Sequence, residues 1–113
     1  MAAQRELITV GLLVRLEART GREEEVEGFV RKALTLVQDE PDTIVWFGVR
    51  LGPSTFAIFD AFPNEAGREA HLQGAVASAL GERGDELLSA PPTIEKFDIL
   101  AARLPALAAT GAD

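Results

Sequence analysis

Two residues of this chain are of types suited to proton transfer: its single histidine, His71, and Asp60, a carboxylate set inside an apolar strand. An unperturbed imidazole titrates near ~6.5, so His71 can act as a general base toward a phenolic or dienol substrate at neutral pH. The bland alternative is a helix residue bonded to a backbone carbonyl. Asp60 stands in Phe56-Ala57-Ile58-Phe59-Asp60-Ala61-Phe62, where a charge must find a partner or face a cavity. It can orient a substrate hydroxyl or fix the tautomer of His71. The favoured structural reading is charge pairing with Arg15 or Arg50 across one sheet face. Those arginines can instead bind an acidic substrate or stabilise an enolate. Trp46 can stack on a flat aromatic ligand and donate its indole N–H, with Gly48 and Gly11 leaving space beside it, or it can simply pack.

Other chemistries find little support. The 113 residues include no cysteine, which removes disulfides and thiolate metal sites, and no glycine-rich phosphate loop is present. No metal, flavin or other cofactor is therefore expected, haem on His71 being the one exception worth a test. A net charge of −7 disfavours nonspecific nucleic-acid binding. There is no apolar run of membrane-spanning length and no signal-peptide pattern, so a cytoplasmic protein is expected.

The elements that must position these residues are legible from periodicity. Leu7 to Glu17 reads as a strand, with Ile8, Val10, Leu12, Val14 and Leu16 on one face. Thr20-Gly21-Arg22-Glu23 fits a capping box, and Val26, Phe29, Val30, Ala33, Leu34 and Val37 form a stripe, predicting a helix over 21–39. Strands follow over 43–51 and 55–62, joined at Gly52-Pro53-Ser54. Asn64 is placed to cap a short helix through His71 and Leu72, Gly74 interrupts, and a second helical piece carries Val76, Leu80 and Leu87. Pro91-Pro92 precedes a fourth strand from Thr93 to about Ala102. The order β-α-β-β-α-β predicts an α+β, ferredoxin-like domain over residues 1–104 with an antiparallel sheet, and a flexible tail over 105–113.

Matching the aliphatic face of the first strand to Val45, Phe47, Val49, Ala57, Phe59, Ala61 and Phe97 assigns those residues to the helix side. The opposite face then holds Arg15, Trp46, Arg50, Phe56, Ile58, Asp60, Phe62, Lys96 and Asp98. It is too apolar to be left in water, and a second copy closing two sheets into a dimeric α/β barrel is the expected cover.

The strand Phe-x-Ile-Phe-Asp-x-Phe, followed by Glu-Ala-x-x-x-Ala-His-Leu, resembles the antibiotic biosynthesis monooxygenase superfamily over roughly residues 7–104. The opening strand with Thr-Gly-Arg-Glu-Glu-Glu is similar to it as well. The resemblance implies ferredoxin-like subunits paired as dimeric barrels. It also implies a cofactor-independent monooxygenase acting on a small aromatic hydroxyl compound of quinol or anthrone type. It places His71 at the Ala-His position of the second helix, Asp60 where many members have glutamate, and Phe62, a substrate-binding candidate, where tryptophan or tyrosine is common. Trp46 lies on the second strand, not the third, and the Asn-Trp-His set of haem-degrading members is not reproduced. Gln73-Gly74-Ala75-Val76 replaces the usual continuation after Ala-His-Leu. Rival readings are a noncatalytic ligand-binding or interaction dimer, and a His-dependent isomerase or decarboxylase.

Overall fold

A computed structural model describes residues 7–105. Its elements run β1 (Val10–Glu17), α1 (Glu23–Val37), β2 (Val45–Arg50), β3 (Thr55–Phe62), α2 (Glu65–Leu72), α3 (Ala75–Leu87) and β4 (Thr93–Asp98). All strand pairs are antiparallel and the sheet order is β2-β3-β1-β4, the ferredoxin-like arrangement. The expected tail lies, beyond Pro105, outside the described residues.

Local signals account for most boundaries. Asn64 caps α2, its Oδ1 accepting from the Gly67 amide at 2.9 Å. The short helix and the second helical piece predicted after the third strand are α2 and α3, separated at Gln73-Gly74. At α1 the capping box forms only in part. Glu23 reaches back to the Gly21 amide at 3.0 Å, but the cap position is Arg22 and no side chain caps it, so Thr20 does not do so. Gly21 has φ 88°, a left-handed turn that moves Thr20 out of the cap position.

The core lies between one sheet face and the helices. Val26, Val30, Ala33 and Val37 of α1 meet Val14 and Leu16 of β1, Phe56 and Ile58 of β3, and Val76 and Leu87 of α3. Gly48 lets β2 approach α1 closely, because a Cβ there would run into Val30.

The register corrects the face assignment made from sequence. Leu12 lies opposite Asp60 and Lys96, and Asp60 lies opposite Trp46, so residues of even number share one face on all four strands. Phe56, Ile58, Asp60 and Phe62 therefore point to the helix layer and are buried there, not on the open face. The open face belongs to Phe47, Val49, Phe59, Phe97, Ala57, Ala61, Leu13 and Arg15. Phe47, Phe59 and Phe97 form a row across three strands, with centroids 6.2 and 5.3 Å apart. Phe47 is 56% exposed. The apolar face expected to need a cover thus exists, with Leu13 and Arg15 of β1 where expected, but on β2, β3 and β4 it is built from the other set of residues.

Candidate functional site

The change of face brings Asp60 to His71. Asp60 comes from the middle of β3 and is fully buried, and His71 comes from the last turn of α2. His71 Nε2 lies 2.9 Å from Asp60 Oδ2. The approach is off the N–H axis, so neither Asp60 oxygen receives a well-directed hydrogen bond. The other ring nitrogen, Nδ1, is 2.7 Å from Oε1 of Glu40, in the segment after α1. The same Glu40 oxygen accepts from the Thr43 hydroxyl at 2.6 Å. Phe62 packs on the imidazole, with ring centroids 5.3 Å apart.

The electrostatics follow from this line of acid, imidazole and acid. Burial opposes a charge on His71, but the neighbouring carboxylates of Asp60 and Glu40 outweigh it, and its pKa lies above the ordinary 6.5. Burial also raises the Asp60 pKa above 3.8. His71 offsets part of that rise, and Glu40 adds to it. The pair is thus a buried carboxylate beside an imidazole that holds its proton more firmly than a free one, with Glu40 and Thr43 fixing the ring from the other side.

His71 also lines a cavity of about 220 Å³ between the sheet and the α2–α3 pair. Its remaining walls are aliphatic: Leu12, Val14 and Ile58 from the sheet, Val76 and Leu80 from α3, and Ile94 from β4. An engineered apolar cavity of about 150 Å³ admits benzene, so this space is large enough for a molecule of one or two rings.

The residues proposed from sequence separate into two groups. His71, Asp60 and Phe62 come together. Arg15, Arg50 and Trp46 do not line this cavity. Arg15 is exposed on the open face. Arg50 neither reaches Asp60 nor enters the His71 site. It pairs with Glu27 at 2.8 Å and lies over the Phe56 ring at 4.9 Å. The expected Asp60–arginine pairing is therefore replaced by Asp60–His71, because the register puts Arg15 on the far side of the sheet. Trp46 is the cross-strand neighbour of Asp60, but its ring lines a different groove, between α1 and β2, and its buried indole N–H has no hydrogen-bond partner among the described residues.

Glu40 was not among the residues singled out from sequence. A signal for it exists: a carboxylate just beyond a helix C-terminus sits at the negative end of the dipole, where it is unfavourable without a cationic partner. Asp60 and Glu40 approach opposite nitrogens of one ring, so the three do not converge as metal ligands. Among the described residues no such group is found. Among the same residues, no helix is long and apolar enough to cross a membrane.

This fold recurs in solved structures. A crystal structure of a protein of unknown function from Nitrosomonas europaea is 50% identical to this chain, with a TM-score of 0.87, covering 89% of this chain and 98% of that one. The chain belongs to the family of that Nitrosomonas protein. An antibiotic biosynthesis monooxygenase matches with a TM-score of 0.70 at 13% identity, covering 80% of this chain and 98% of that one. A Mycobacterium tuberculosis protein matches at 0.74 and 13% identity, covering 83% and 97%. This member of the Nitrosomonas protein's family thus has the antibiotic biosynthesis monooxygenase fold. No family model matches the chain, and neither does any curated protein.

Proposed function

We propose that this protein is a cofactor-independent monooxygenase that oxidises a small aromatic hydroxyl compound in the cavity beside His71. The observation that carries the reading is a histidine held between two carboxylates at the wall of an otherwise aliphatic cavity. Such a reaction asks three things of a protein: a base, a dry pocket and control of developing charge. The Asp60–His71 pair is the base. In its neutral form, reached as pH rises through the raised pKa, His71 takes a substrate hydroxyl proton at Nε2, and Asp60 stabilises the imidazolium that results, while Glu40 holds the Nδ1 proton in place. The substrate anion donates an electron to dioxygen, and the two combine as a peroxide at the activated carbon. A methylene so attacked leaves as a carbonyl, and the second oxygen atom leaves as water. The aliphatic walls keep bulk water from the anion. The acting unit is a homodimer in which a second copy covers the Phe47–Phe59–Phe97 face, since a patch of that kind is costly in water.

One observation favours a noncatalytic binding role as the second reading: both imidazole nitrogens already face carboxylates. Oxygen uptake with a panel of hydroquinones and anthrones separates the two. The monooxygenase reading expects turnover that falls by roughly 10²–10⁴-fold in His71→Ala, the usual contribution of a general base. Binding of panel compounds without oxygen consumption would replace it with the binding role.

A further inference from the structure

The His71 cavity does not end at its aliphatic walls. Leu80, Gly81 and Pro92 line it and also line an outer cleft of about 310 Å³, so the two spaces adjoin along α3. The outer cleft is more polar. Arg19, Asp85 and Ser89 border it, and Gly84 of α3 lines it without touching the inner cavity. Arg19 directs its Nε at the backbone carbonyl of Asp85, 2.9 Å away, and makes no ion pair among the described residues. Its terminal nitrogens therefore retain donors for an acceptor in the cleft.

Two helical glycines sit along this wall, and their placement is costly. Glycine inside a helix is less favourable than alanine, and packing gives no reason for it here. A Cβ at Gly81 or at Gly84 would meet nothing within 4 Å. What both positions have in common is the cleft, where a longer side chain would project into open space.

We propose that Gly81 and Gly84 keep this cleft open as the outer half of one bipartite site. The ligand is amphiphilic, with an apolar head of one or two rings against His71 and a tail along α3 ending in a hydrogen-bond acceptor at Arg19. Asp85 on the same rim limits that end group to a neutral acceptor or a single negative charge. The inference rests on the reading of the His71 cavity as a ligand site, and it adds the shape and polarity of the ligand to that reading.

Calorimetric titration of the full chain with two probes tests it: naphthol, which is a head alone, and naphthyloxyhexanoic acid, which adds a tail with an acceptor. The tailed probe is expected to bind about tenfold tighter, the worth of one net hydrogen bond with some buried methylene. Gly84→Leu should remove that advantage and leave naphthol affinity unchanged, because Gly84 lines only the outer cleft. Gly84→Ala should raise Tm, showing that the helix tolerates a side chain there. Ala77→Phe, which fills the inner cavity, should abolish binding of both probes. Equal affinities for the two probes, or an equal loss of both in Gly84→Leu, would overturn the bipartite site while leaving the His71 cavity standing. No binding of naphthol, or binding that survives Ala77→Phe, would overturn the cavity reading and this inference with it.

Discussion

Replacing His71 with leucine keeps much of the ring's bulk against Phe62 but leaves Asp60 without its cationic neighbour. Asp60 is fully buried and its oxygens have no hydrogen-bond partner among the described residues, so the carboxylate has two courses. It can stay charged and unpaired, which costs about 3–5 kcal/mol when one member of a buried pair is removed. It can instead take up a proton. From an ordinary value of 3.8, protonation at pH 7 spans about three pH units, at about 1.4 kcal/mol each, or about 4 kcal/mol. At pH 5 the same step costs only about 2 kcal/mol. The sign is fixed by linkage. The folded variant holds a proton that the unfolded chain has released, so its stability falls as pH rises. The wild type changes by under about 1 kcal/mol, because its raised His71 pKa acts only once pH passes the ordinary 6.5, and pH 7 lies just beyond it. The deficit of His71→Leu should therefore grow by about 2 kcal/mol between pH 5 and pH 7. In urea, at about 2 kcal/mol per molar, the pH 7 deficit moves the midpoint by about 2 M. Asp60→Asn in the same background should recover most of it, since the stranded charge is gone. A deficit below about 1 kcal/mol, equal at both pH values, would refute the idea that His71 compensates a buried carboxylate.

Three further outcomes follow from the same structure. The His71 ring protons should titrate by NMR with a midpoint above 6.5, because the flanking carboxylates outweigh burial; the stabilisation this gives is complete below about 6.5 and is lost as pH rises through the raised pKa, and a midpoint at or below 6.5 would contradict it. Phe59→Asp should convert a dimer to monomer or insoluble protein in sedimentation, since it places a charge in the middle of the open aromatic row, and a well-folded wild-type monomer at micromolar concentration would remove the case for a covered face. Gly11→Ala should destabilise by about 1–3 kcal/mol in urea, because the added Cβ would lie 2.6 Å from the Asp60 backbone oxygen and against the Phe97 ring; an unchanged midpoint would show that β1 and β3 can part there at no cost.

Secondary structure was legible in the sequence because each signal is local. The three-and-four spacing of Val26, Val30, Ala33 and Val37 marks α1 without reference to anything distant, and Asn64 and Gly74 punctuate α2 and α3 by their own backbone chemistry. The element order then leaves few topologies, and the observed sheet is one of them. The sequence also marks His71 and Asp60 as unusual, one by being the sole histidine and the other by carrying charge in an apolar strand. It does not say that they meet. Both faces of this sheet are apolar, Phe56 and Ile58 on one and Phe47, Phe59 and Phe97 on the other, so alternation has no contrast from which to tell inside from outside. Only cross-strand register decides, and register depends on how distant strands pair. Once Leu12 pairs with Asp60, the carboxylate turns to the helices, leaves Arg15 on the far face, and arrives beside an imidazole from α2. Glu40 completes the line from a loop 31 residues away from His71, a separation over which no periodicity acts.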